Sequence, residues 1–174
     1  MSDTEVIGGD SIDLRTLSEE HATEKYAGWL NDPEVNKYLE TRQVTVDELK
    51  SYIAEKNTSS NALLFGIFWK EDDTHIGNLK LEPIDHEKSK ATLGILIGDK
   101  DYWGKGVATE ATNLITQYAF TTLGLKEVNL GVISDNRAAI RVYEKCGFTT
   151  FKTDPKALDH DGKLFDQVWM RKTV

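Results

Sequence analysis

The sequence predicts an α+β domain, with a mixed central sheet of about seven strands flanked by about four helices. Three observations carry this expectation. Apolar residues follow a helical period early in the chain and a strand-like period from Ala62 onward. Three strand-like runs joined by short polar connections read as an antiparallel meander. A strand, a long helix and another strand then succeed one another, as in a βαβ unit.

Taken in order, residues 1–9 read as a loose tail, and 10–174 as a single domain. Residues 11–17 (SIDLRTL) alternate apolar and polar, as a first strand would. Ser18-Glu-Glu supplies a hydroxyl cap and an acidic first turn for a helix striped by Tyr26, Trp29 and Leu30. Pro33 ends that helix, because it disfavours the helical region for Asp32. A second helix opens at Thr45, with Glu48 at capping-box spacing.

Residues 62–69 (ALLFGIFW) are apolar throughout, as in a strand covered on both faces. IGNLKLEPI and KATLGILIG follow as two more strands. A long helix is expected from about Gly104 to Thr122, stopped by Gly124. Residues 127–133 form another strand, and Asp135 caps a helix running to about Cys146. GFTTFK and the stretch after an Asp161-Gly162 turn complete the sheet.

Composition narrows the function classes. The net charge is −8, which argues against a nucleic-acid binder held by phosphate contacts. An acidic chain suits a cationic small partner, although acidity for solubility alone explains it more simply. No apolar run approaches the roughly 20 residues of a membrane span, and MSDTEVIGGDS is unlike a targeting peptide. Cys146 is the single cysteine, so there is neither an intramolecular disulfide nor a cysteine metal cluster. A reducing cytoplasm is the expected location. His21, His75, His86 and His160 lack metal-ligand spacing and read as surface or turn residues, so no metal is expected.

The segment DYWGKGVATE (101–110) places two glycines and a lysine before a helix. A helix start presents free N–H donors and partial positive charge, a ready site for phosphate. It is not a P-loop, which needs GxxxxGK[ST]. Nor is it a dinucleotide fingerprint, since Thr109 stands where a third glycine belongs. Read alone, the loop is either a phosphate site or simply a glycine-containing helix start.

Joined to LGLKEVNLGVISDNRAAIRVYEKCGF (123–148), WGKGVA resembles the GNAT superfamily of N-acetyltransferases. Within it the chain is similar to the ribosomal-protein, polyamine and amino-sugar acetyltransferases. The likeness covers about residues 11–172, and its specific motifs lie in 94–148. It implies acetyl-CoA as cosubstrate, with the coenzyme diphosphate on Trp103, Gly104, Lys105, Gly106, Val107, Ala108 and Thr109. Trp103 departs from the pattern, where Gln or Arg is commoner. The resemblance also places the thioester arm beside Ile95, Leu96 and Ile97, where this strand splays from its neighbour and a backbone N–H polarises the acetyl carbonyl. It gives Asn136 a coenzyme contact and Tyr143 the protonation of the departing thiolate. Without it, Tyr143 reads as a core aromatic and Lys105 or Lys145 as solvated lysines. A homodimer is a common arrangement in the family.

Acetyl transfer to an amine needs the amine neutral, against an alkyl ammonium pKa of about 10.4. The developing oxyanion needs a donor, and the thiolate gains from a proton. Glu82 is a candidate base; Asp32, Glu34 or a carboxylate acting through water are alternatives. The acceptor is expected between residues 26–45, the IGNLKLEPI strand and the C-terminal hairpin. There Asp32, Glu34, Glu40, Asp159, Asp161 and Asp166 favour a cation, while Trp29 and Tyr38 suit a sugar or nucleotide ring. Two function classes stand at this point: an acetyl-CoA-dependent N-acetyltransferase acting by direct attack in a ternary complex, and a non-catalytic coenzyme A sensor.

Overall fold

The computed structural model describes residues 4–39 and 43–174. Its elements are β1 (Val6–Gly8), β2 (Ile12–Thr16), α1 (Glu24–Asn31), α2 (Val46–Thr58), β3 (Leu63–Trp69), β4 (Thr74–Asp85), β5 (Lys90–Ile97), α3 (Val107–Thr121), β6 (Glu127–Ile133), α4 (Arg137–Lys145), β7 (Thr149–His160) and β8 (Lys163–Thr173). One eight-stranded sheet runs in the order β1-β2-β3-β4-β5-β6-β8-β7. The β3–β4–β5 meander is antiparallel, and β5 pairs parallel with β6 across the α3 crossover.

Two apolar layers cover the sheet. Ile115 and Ala119 of α3 and Tyr143 of α4 pack with Phe65 and Ile67 on one side. Tyr26 and Trp29 of α1, with Leu49 and Ile53 of α2, pack with Leu64 and Phe68 on the other. Successive β3 residues therefore enter different layers, which is why that strand is apolar throughout.

Local signals explain most element ends. Thr45 Oγ1 accepts from Glu48 N–H at 3.2 Å, and Glu48 Oε2 accepts from Thr45 N–H at 2.8 Å, closing the capping box of α2. Such a cap is worth about 1 kcal/mol. Asp161 and Gly162 both take positive φ, 55° and 79°, as the two-residue turn between β7 and β8 requires.

The structure departs from expectation at four places. Residues 6–8 are strand β1 rather than loose tail, paired with β2 and held by α3. The Glu110 carboxylate accepts from Ser11 N–H at 2.8 Å, and Tyr118 Oη donates to Glu5 at 2.6 Å. This strand brings the sheet to eight. Ser18 opens only a 3-10 turn, Glu19–His21, in which His21 Nδ1 accepts from Ser18 N–H at 2.9 Å; Thr23 caps α1 instead, accepting from Tyr26 N–H. The cap of α4 is Asn136, not Asp135. Finally, β7 continues to His160 through a register shift between Asp154 and Leu158 that absorbs Pro155.

Candidate active site

The central feature is a gap in the sheet. β5 and β6 pair only at Lys90–Glu127, Ala91–Val128 and Thr92–Asn129, although β5 runs on to Ile97 and β6 to Ile133. Beyond Thr92 the β6-facing edge of β5 has left its partner. Burial records the same event: from Gly94 to Ile97, four successive residues of a central strand are only half-buried. Ile95 and Ile97 pack towards the α3–α4 layer, and Leu96 towards the α1–α2 layer.

Past the end of β5 comes the glycine loop. Gly104 and Gly106 have φ of 75° and 77°, a left-handed conformation that glycine adopts without strain. A Cβ at either would meet nothing within 4 Å, so the backbone there is openly accessible. Gly106 caps α3, whose first intrahelical bond runs from Glu110 N–H to the Gly106 carbonyl at 3.1 Å. The N–H groups of Val107, Ala108 and Thr109 precede that bond and project from the helix start. An open glycine cradle feeding a fifteen-residue helix fits a diphosphate.

Trp103 and Lys105 acquire definite roles. The Trp103 indole donates from Nε1 to the Ile97 carbonyl at 2.9 Å. It thereby fastens the loop to the last residue of β5, a use of the side chain that the sequence does not announce. Lys105 Nζ lies over the rings of Trp69 and Tyr102, at 5.7 and 5.3 Å from their centroids. Its charge is thus held on aromatic faces beside the loop.

α4 closes the site from the next element. Its Cys146 thiol lies 3.6 Å from the Thr109 carbonyl, so the C-terminal end of α4 packs on the first turn of α3. Tyr143 lies on that helix, 8 % exposed. Burial pushes its phenol up to about 12, with a smaller contribution from Cys146. Asn136 Oδ1 accepts from Ala139 N–H at 3.3 Å, which commits its oxygen to the cap and leaves the amide nitrogen outside it. Burial likewise raises the Cys146 thiol, as suits a packed residue rather than a nucleophile.

On the α1–α2 side the gap opens into a cavity of about 530 Å³. Tyr26, Leu30, Tyr38, Leu49, Tyr52 and Leu64 form most of its wall. Asn78, Lys80 and Gly94–Leu96 form the floor, and Gly131 of β6 the far lip. Cross-strand register places Asn78 directly opposite Leu96. Gly77 makes this close approach feasible, since a Cβ there would collide with the Leu96 carbonyl.

The acidic residues expected around the acceptor are otherwise employed. Asp32 and Glu34 both pair with Lys100, at 2.9 and 3.4 Å. Asp159 accepts from Gly162 N–H in the hairpin turn, and Asp166 from Lys156 N–H. Asp161 occupies that turn, and Glu40 lies outside the described residues. Glu82 is absent from the cavity wall and pairs with Lys56 at 2.7 Å and Lys80 at 3.6 Å. Burial resists its charge, but the Lys56 hydrogen bond and both lysine charges outweigh that and hold its pKa below the ordinary value. A carboxylate so engaged is a weak base. Trp29, expected to stack on a ligand, is a core residue at 6 % exposure, whereas Tyr38 does face the cavity.

His75 was expected at the surface and instead sits among rings, 4.9 Å from Phe68 and 5.0 Å from Trp29 between centroids. Burial lowers its pKa to about 4, so the imidazole is neutral at physiological pH. Its Nε2 approaches the Gly77 carbonyl at 3.0 Å and Asn78 Oδ1 at 2.8 Å. A carbonyl only accepts, so Nε2 carries the proton and the Asn78 atom facing it is oxygen. Nothing in the spacing of IGNLKL reveals this pair.

Comparison with known proteins agrees with the geometry. Residues 11–149 match the GNAT acetyltransferase domain. An uncharacterized N-acetyltransferase, p20 of Bacillus licheniformis, is 32% identical over 148 residues, covering 83% of this chain and 82% of that protein. Spermidine N(1)-acetyltransferase of Escherichia coli K12 is 38% identical over 78 residues, 45% of this chain and 41% of the enzyme. Spermidine N-acetyltransferase of Vibrio cholerae, solved with CoA and spermine, superposes with a TM-score of 0.87 at 23% identity, covering 95% of this chain and 96% of that one. RimL, a ribosomal L7/L12 alpha-N-protein acetyltransferase solved with coenzyme A, gives 0.89 at 16% identity, with 98% of each chain covered. With a sheet that opens beside a glycine-led helix and a domain match over most of its length, the chain belongs to the GNAT family of acetyl-CoA-dependent acyltransferases.

Proposed function

We propose that this chain moves an acetyl group from acetyl-CoA to a primary amine by direct attack within a ternary complex. The observation that carries the reading is the gap between β5 and β6, which has the glycine loop at one end and the 530 Å³ cavity on one face. Relatives named for spermidine and for a ribosomal-protein terminus make an amine the expected acceptor class.

Acetyl-CoA supplies the acetyl group as an activated thioester. The chain's own part is to bind, align and polarise. Val107, Ala108 and Thr109 N–H groups, with the α3 dipole, hold the diphosphate; the dipole adds about 0.3–1 kcal/mol to the hydrogen bonds. The free edge of β5 at Ile95–Ile97 pairs with the pantetheine amides in the manner of a strand. A backbone N–H at Leu96 or Ile97 meets the charge that develops on the acetyl oxygen. Holding both partners in the gap supplies much of the remaining acceleration.

Tyr143 keeps its proton at Oη well above neutral pH, because of its raised pKa. Full transfer to a thiolate of ordinary pKa, about 8.5, would run uphill. The phenol therefore acts chiefly as a hydrogen-bond donor to the sulfur as negative charge builds. Glu82, clamped by lysines, takes no proton; the amine reaches the site neutral or loses its proton to water.

Thiol release from acetyl-CoA in the presence of a panel of primary amines tests the reading. Amine-dependent release that falls in Tyr143→Phe supports it. Tight acetyl-CoA binding with no release for any amine would favour the coenzyme sensor instead.

A further inference from the structure

The cavity floor holds a polar group with nothing to bind. Asn78 is 5 % exposed, and its Nδ2 has no hydrogen-bond partner. Leaving a buried donor unsatisfied costs about 1–3 kcal/mol, so such a group in a cavity wall points to a ligand. Its orientation is determined from behind. Because His75 Nε2–H donates to Asn78 Oδ1, the amide cannot turn over without facing N–H to N–H. Asn78 therefore lines the cavity floor with its Nδ2 donor unpaired, directly opposite Leu96.

The rest of the wall selects in the same sense. Tyr26, Leu30, Leu49, Tyr52 and Leu64 offer apolar and aromatic surface. Among the described lining residues there is no carboxylate, and the one charged member is Lys80. The carboxylates nearest in sequence are engaged: Glu82 with Lys56 and Lys80, Asp32 and Glu34 with Lys100. A protonated polyamine carries only N–H donors and positive charge. It offers nothing to Asn78 Nδ2, and the one charge in the described wall, Lys80, is of its own sign.

We propose, resting on the acetyl-transfer reading above, that this cavity selects a primary amine on an apolar or aromatic body with a carbonyl-type oxygen near the amine, gripped by Asn78 Nδ2. A free small α-amino amide and the end of a hydrophobic polypeptide share that chemistry.

The test is steady-state acetylation of phenylalaninamide, phenethylamine, spermidine and a tripeptide amide beginning with phenylalanine, with acetyl-CoA binding measured in parallel. Phenylalaninamide or the tripeptide should exceed both phenethylamine and spermidine in kcat/KM by about tenfold, the discrimination expected when a built donor is left unpaired. The better of the two amides tells whether the source is a free molecule or a chain end. Asn78→Leu should cut the amides' kcat/KM advantage over phenethylamine by about tenfold, with acetyl-CoA affinity preserved. Asn78→Asp keeps the acceptor for His75 and removes the donor, so it should show the same split if the leucine variant does not fold. Spermidine as the best acceptor, phenethylamine equal to the amides, or an equal loss on all amines in both variants would overturn the inference. No acceptor in the panel, with or without bound acetyl-CoA, would instead overturn the acetyl-transfer reading beneath it.

Discussion

The proposed coenzyme side and the proposed acceptor side of this molecule are built from different material. The former is backbone: a released strand edge at Gly94–Ile97, two left-handed glycines and the first turn of α3. The latter is side chains drawn from α1, α2, β4 and β5, meeting across the sheet in one cavity. A backbone site depends on geometry more than on residue type, and here the Trp103 side chain ties the loop to Ile97. A side-chain site changes its ligand with each substitution. The difference teaches where variation in acceptor can arise without loss of the cosubstrate.

Substituting the loop glycine attacks the backbone half with the largest expected effect. Gly106→Val should weaken acetyl-CoA binding about a thousandfold, by filling the cradle and displacing several charge-assisted hydrogen bonds. It also places a branched residue at positive φ, costing about 1–2 kcal/mol of stability. Gly124→Val is the control, since Gly124 also has positive φ (68°) and open space. It should lower the melting temperature comparably while leaving acetyl-CoA affinity intact. Equal affinities in the two variants would reduce the loop to a helix start.

Tyr143→Phe probes the chemistry between the two halves. It should lower kcat about a hundredfold with acetyl-CoA affinity preserved. Because the phenol stays protonated up to about pH 12, wild-type kcat should show no loss between pH 9 and pH 11 from this group. A fall centred near 10 would assign an ordinary tyrosine. Glu82→Gln is expected to change kcat by less than about threefold, because its carboxylate is already paired. A loss of 10²–10⁴ would restore it as the general base.

The last prediction concerns the support behind Asn78 and reads stability rather than activity. His75 has a folded pKa of about 4, lowered by burial, against an ordinary 6.5. Between those values the unfolded chain binds a proton that the folded chain refuses. The stabilisation is therefore complete above about pH 6.5 and lost as pH falls towards 4, up to about 3 kcal/mol. His21 and Lys25 face the ring and add to its reluctance to charge. Urea midpoints at pH 7 and pH 4.5 should diverge more for wild type than for His75→Gln. Parallel shifts would deny the imidazole this role.

What the sequence disclosed follows the same division. The period change, the Thr45–Glu48 box, the Asp161-Gly162 turn and the glycine loop are local signals, and each stands where expected. The lips of the gap were legible only through resemblance, since GILIG by itself is an ordinary buried strand. On the acceptor side the physics is long-range. Asp32 and Glu34 look like free acids until Lys100 is folded onto them. Trp29 looks available until α1 packs on the sheet, and His75 looks exposed until Phe68 covers it. Strand β1 escaped because three residues carry no period, and its anchors, Glu110 and Tyr118, lie far along the chain.

The most direct test of the two-material account is calorimetric titration of acetyl-CoA into wild type, Gly106→Val and Asn78→Leu. Wild type and the Asn78 variant should bind with the same affinity, and the Gly106 variant should bind far more weakly. Indistinguishable binding by all three proteins, or equal weakening in both variants, would contradict it.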